Sequence, residues 1–218
     1  MKLQRALHGL ILLVLAFQIA CVPQKAATPT PNPAQVIDSY VTPAAMTWTD
    51  KLFGCTGQTI LVRLTDPNMA KLEIRFGSPS SLTTPAFQIA SEDLTVITGA
   101  ASSLQNLTIE QVRDLFAGRG DPSVQVWVYA SDSDIQTVFD QSVMQGGSVT
   151  SLAHMAANPQ DVLDALASDP NAIGILPRSW HNGSVREVYV INSVPVLAVT
   201  KTDPTGEMKN LIACLQKK

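Results

Sequence analysis

The chain has 218 residues, 45% of them hydrophobic, so a sizeable core can form. Only 15% are charged, and 15 basic against 18 acidic side chains give a net charge of −3. That balance excludes a strongly basic nucleic-acid binder, and no later run of some 18 apolar residues suggests a multi-span membrane protein.

The N-terminus reads as an address. Lys2 and Arg5 precede an apolar run from Leu10 to Ala16, and Ile19-Ala20-Cys21 follows. A positive start, a short apolar stretch and a small residue before the cut are the parts of a signal peptide. Ile19-Ala20-Cys21 resembles the bacterial lipobox, which implies acylation of Cys21. An ordinary secretory signal shares every part except the cysteine. Loss of residues 1–20 removes Lys2 and Arg5 and no acid, taking the net charge from −3 to −5. Acyl chains would then hold the protein on the extracytoplasmic face of the cell membrane. Four prolines within Val22–Ala34 predict an extended tether over residues 21–35.

Strands and helices then alternate. Thr59–Leu64 is a β-branched run, and Lys71–Phe76 alternates polar and apolar residues, so both are predicted strands. Leu94–Thr98 is a third. Thr108-Ile109-Glu110-Gln111 has capping-box spacing, with Leu107 and Val112 placed as a staple, and Gly118 closes that helix. Val124–Tyr129 is another alternating strand. Ile135, Val138, Phe139 and Val143 have helical spacing, ended by Gly146-Gly147. His154 is placed on a helix among alanines. Asn158-Pro159 opens a helix with Val162, Leu163 and Leu166 as its buried stripe. Ala172–Leu176 is a fully buried strand, Val185–Ile191 and Pro195–Thr200 are two more, and Pro204–Gln216 is the last helix. Such alternation argues for an α/β fold.

Three segments carry a family resemblance. They are Asn106–Gly118 with its Phe116-x-Gly118 ending, Val124–Phe139, and Ser168–Leu176 with its Ala-Ile-Gly strand. In order, they resemble the phosphate-type periplasmic substrate-binding proteins over residues 94–216. The resemblance implies an α/β, two-lobed type 2 periplasmic-binding-protein-like fold with a shortened first lobe. Lobe one is expected over 36–100 plus 193–218, and lobe two over 101–192. The expected role is a solute-binding lipoprotein of an ABC-type uptake system, with a small solute and an ABC permease as partners. The alternative is a non-transport sensory or protein-interaction module on a degenerate substrate-binding fold. No cofactor and no nucleic acid is expected.

The resemblance places an anion-binding turn at Tyr129–Ile135. Ser133 matches the family's serine, but Tyr129 stands at the arginine position, Asp132 and Asp134 at glycines, and Ile135 at the threonine. Two carboxylates beside a phosphate repel it. Tyr129, Ser131, Asp132, Ser133 and Asp134 are therefore candidates for an altered ligand site. Equally, Ser131, Asp132 or Ser133 caps the following helix. Arg178 and Trp180 follow the Ala-Ile-Gly strand and are further ligand candidates, with coverage of the lobe's own core as the other reading of Trp180. With Cys21 lipidated, Cys55 and Cys214 remain to form a disulfide in an oxidising compartment. Asp132-x-Asp134 lacks the glycine and the final glutamate of an EF-hand. Arg119-Gly120-Asp121 reads as a surface turn. Scattered histidines without HExxH speak against a metal site, and no nucleophile–base motif marks an enzyme.

Overall fold

In the computed structural model, residues 33–79 and 82–217 are described. The expected signal peptide, Cys21 and the tether as far as residue 32 lie outside them. Residues 34–218 form one compact unit.

Strand β1 (Gln35–Val41) buries Ile37, Ser39 and Val41 on one face. A 3₁₀ turn (Pro43–Trp48) and helix α1 (Thr49–Gly54) follow, then β2 (Ile60–Leu64) and β3 (Leu72–Phe76). Strand β4 (Ala86–Gly99) leads to α2 (Ile109–Phe116), β5 (Gln125–Tyr129) and α3 (Asp134–Phe139), which loosens into a π turn over Asp140–Met144. Next come β6 (His154–Ala156), α4 (Pro159–Ser168), β7 (Ala172–Pro177), a 3₁₀ turn (Arg178–Trp180), β8 (Val185–Thr200) and α5 (Gly206–Leu215).

The strands form one mixed sheet in the order β2-β1-β3-β8-β4-β7-β5-β6. Strands β4 and β8 are its spine. They pair antiparallel along their whole length, with register shifts at Gln88/Ala90, Leu94/Thr95 and Val96/Ile97. Their one end flanks β3, and Leu94–Thr98 pairs with β7 instead. The two strands expected between Val185 and Thr200 are thus one. Asn192 and Ser193 are exposed where the strand passes between the two halves of the sheet, which is why they read as a break.

Local chemistry explains several ends. Thr108 Oγ1 accepts from Gln111 N at 3.3 Å, and Gln111 Oε1 accepts from Thr108 N at 2.8 Å, so the capping box closes. Gly118, at φ 73°, ends α2 in a conformation that disfavours a side chain. Asn158 accepts from Gln160 N and Asp161 N at the start of α4. Arg113 Nε donates to Val143 O at 2.7 Å, capturing a carbonyl of the π turn. His154 lies in β6, not on a helix, with its ring stacked on Trp127. Three residues are too few for a visible period, and the flanking alanines suggested a helix in their place.

The core runs continuously under both halves and includes Ile37, Leu72, Ile74, Phe76, Ile97, Phe116, Phe139, Ile173 and Ile175. Cys55, just past α1, is bonded to Cys214 in α5, with Cα atoms 5.8 Å apart.

Candidate functional site

A cleft of about 390 Å³ opens where the ends of β1, β3 and β5 meet. Each wall follows from the chain's local course. Thr42 leaves β1 with its amide bonded to Ile74 O at 3.0 Å, which holds it beside β3. Phe76 is the last residue of β3. Gly77 then turns the chain at φ 69°, and a Cβ there would meet the Val138 methyl at 2.6 Å. On the other side, β5 ends at Tyr129, the turn closes through Ser133 N to Ala130 O at 2.9 Å, and α3 begins at Asp134.

Asp134 joins the two walls. Its side chain is buried, at 5% exposure. Oδ2 accepts from the Thr42 hydroxyl at 2.7 Å and from Phe76 N at 2.9 Å, and Oδ1 accepts from Ile135 N at 2.9 Å. Bonds to a charged acceptor contribute about 1.5–3 kcal/mol each. Three donors converging on one buried carboxylate satisfy it, as a buried charge requires.

The other predicted residues divide. Tyr129, Asp132 and Ser133 line the same cleft as Asp134. Tyr129 is spent internally: its hydroxyl donates to Ile175 O at 2.8 Å, its amide donates to Gln136 Oε1 at 3.0 Å, and burial drives its pKa far up. Ser131 is exposed and is not among the lining residues. Ser133 occupies the cap position of α3, but its side chain makes no capping bond. Of Ser131, Asp132 and Ser133, the three residues offered as caps of this helix, the one at the cap position is thus not its cap; the Asp134 carboxylate accepts from Ile135 N instead.

Arg178 and Trp180 do not join this cleft. Arg178 pairs with Asp93 at 2.5 Å and Glu187 at 2.9 Å. The Trp180 indole donates to Ala44 O at 2.7 Å, and Ser179 bonds Thr47 and Glu92. This turn thus fastens the segment after β1 from behind.

Four lining residues with polar side chains escaped the sequence: Tyr40, Thr42, Glu73 and Arg75. The alternation of Lys71–Phe76 was the available signal for Glu73 and Arg75, since it puts both on the face opposite the core. Arg75 pairs with Glu73 at 3.2 Å, and its buried Nε has no partner within the protein. Burial, then Glu73, Asp134 and Asp132, raise the Tyr40 pKa against the opposing pull of Arg75, so that phenol is a neutral hydrogen-bonding group. Among the described residues, no group of three His, Cys, Asp or Glu side chains is placed to hold a metal. The cleft offers neutral hydrogen bonding and one paired cation, set against Asp132 at its rim.

No protein-family model and no curated protein matches the sequence. Solved structures do match in fold. One is described as a phosphate ABC transporter substrate-binding protein from Clostridium perfringens with bound phosphate, at TM-score 0.75 and 15% identity, covering 84% of this chain and 94% of that one. An ABC-type phosphate transport receptor from Vibrio cholerae matches at 0.65 and 15%, with the same coverages. A reduced form of OxyR from N. meningitidis matches at 0.63 and 10%, covering 83% and 94%. At these identities the likeness is one of fold.

The regulators correct two expectations. The address on the cell membrane rested on Ile19-Ala20-Cys21, which lies outside the described residues, and the part in ABC transport on the resemblance to transport receptors. The same fold serves an OxyR2 regulatory domain and CbnR, solved with its target DNA. The fold therefore carries neither the membrane address nor the ABC-transport role, and both are withdrawn. Among the described residues, no helix is long and apolar enough to cross a membrane. The matched proteins are described as a substrate-binding protein, a transport receptor and a regulatory domain. What they establish for this chain is an α/β, two-lobed type 2 periplasmic-binding-protein-like fold.

Proposed function

We propose that the chain is a non-transport sensory or protein-interaction module on this fold, and that it does not bind phosphate tightly. One observation carries the proposal: the Asp134 carboxylate, which lines the cleft, already takes the hydrogen bonds of the Thr42 hydroxyl and the Phe76 amide. A phosphate entering there would meet Asp134 and Asp132 with Arg75 already paired to Glu73. Displaced bonds and like-charge repulsion totalling even about 4 kcal/mol would weaken a micromolar site to roughly millimolar. The fold's use in an OxyR2 regulatory domain supports the sensory reading.

The two lobes are proposed to meet along β4 and β8 near Leu94 and Asn192, where the flanking strand changes from β3 to β7. A small neutral solute is the second reading, favoured by a cleft whose volume lies in the range of small-molecule sites and by the neutral phenol of Tyr40 within it. A permease partner forms no part of either reading.

Isothermal titration with inorganic phosphate at neutral pH tests the proposal. Heats without saturation below about millimolar phosphate are expected. A dissociation constant at or below about a micromolar would overturn it.

A further inference from the structure

We infer that Asp134 is a ligand the chain supplies to itself: its carboxylate fills a carboxylate receptor made by the Thr42 hydroxyl and the Phe76 amide, and so latches one half of the sheet to the other. This deepens the reading of the cleft given above and rests on it, but it is tested separately.

The two donors come from the ends of β1 and β3, and the acceptor from the connection between β5 and α3. They lie 92 and 58 residues from Asp134 in sequence. Neither donor is a local partner in the way that Ile135 N is. The pairing of β1 with β3 stops at Val41 and Ile74, and the Phe76 amide finds its acceptor in Asp134 rather than in the sheet. Both donors converge on a single oxygen, Oδ2. Removing the Asp134 side chain would leave a buried hydroxyl and a buried amide without acceptors, beside a cleft that Thr42 and Asp134 both line. Buried donors of that kind call for a replacement acceptor. A tethered carboxylate faces no competition at ordinary concentrations of free anions, because its effective concentration is high. The native protein is accordingly indifferent to small carboxylates, whereas a variant lacking the tethered group accepts one.

The test compares the thermal midpoints of the full chain, Asp134→Gly and Thr42→Val/Asp134→Gly in sodium formate and in sodium chloride of equal ionic strength. Asp134→Gly is expected to melt lower than the native chain. Formate is expected to raise its midpoint saturably, by about 3 °C or more beyond chloride. The native chain should not respond to formate, and the double variant should respond less than Asp134→Gly. Equal behaviour of Asp134→Gly in the two salts would overturn the inference, whatever the phosphate titration of the native chain gives. Should Asp134→Gly fail to fold, a cycle of Thr42→Val, Asp134→Asn and both together replaces it. Coupled losses are then expected, with the double variant melting higher than the sum of the single losses requires; additive losses would overturn the latch.

Discussion

His181 follows the turn after β7, and its Nε2 lies 2.8 Å from Thr95 Oγ1, whose own hydrogen goes to Leu176 O at 2.9 Å. The ring therefore donates from Nε2. Burial, the largest cause, lowers its pKa below the ordinary histidine value; nearby Arg178 adds to this, while Glu187 and Glu92 oppose it. The unfolded chain protonates this residue near pH 6.5, above the folded value. Between those two values the unfolded state binds more protons, so stability is present above about pH 6.5 and is lost as pH falls. The native midpoint should therefore drop more between about pH 7.5 and pH 5.5 than that of His181→Gln. Equal slopes in the two proteins, read by circular dichroism, would remove His181 as the cause. At this scale the sequence is a partial guide. The letters Asp132 and Asp134 already spoke against phosphate, but nothing local said that Asp134 is buried and satisfied. The Phe76 amide that helps satisfy it has no signature in any side chain.

At the scale of elements, the clearest sequence signals act within a single turn. The capping box of α2 needs only residues three apart, and both of its bonds form. Thr108→Ala should cost about 1 kcal/mol, lowering the thermal midpoint by about 2–4 °C in a chain of this size. Thr108→Ser should keep most of that stability; if both variants melt alike, the side-chain cap is not what holds the helix start. Strands β3, β5 and β7 were legible because alternation or unbroken burial is a property of neighbouring residues. Strand β1 was not, since Ser39 is buried inside its apolar face and prolines precede it. The first half of β4 was hidden for another reason: Ala86–Asp93 mixes apolar and polar residues without strict alternation and is mostly not buried, and its strand character comes from pairing with β8.

Across the whole molecule, the bond between Cys55 and Cys214 closes the largest loop, over a sequence separation of 159. In the chain-entropy picture this restricts the unfolded state by about 5 kcal/mol, an upper figure. Urea unfolding of the native chain and of Cys55→Ala/Cys214→Ala should differ by up to that amount, and reduced native protein should resemble the variant. Unchanged midpoints would mean that the bond does not constrain the chain. Alternation of strands with helices was enough to predict an α/β chain, because side-chain period and turn chemistry operate over a few residues. The cleft was decided elsewhere. Thr42, Phe76 and Asp134 meet only because β4 and β8 run through both halves of one sheet and bring the ends of β1, β3 and β5 together. A hydrogen bond between residues 92 positions apart leaves no period in the sequence, and a main-chain amide is the same under every letter; only folding could place them on one carboxylate.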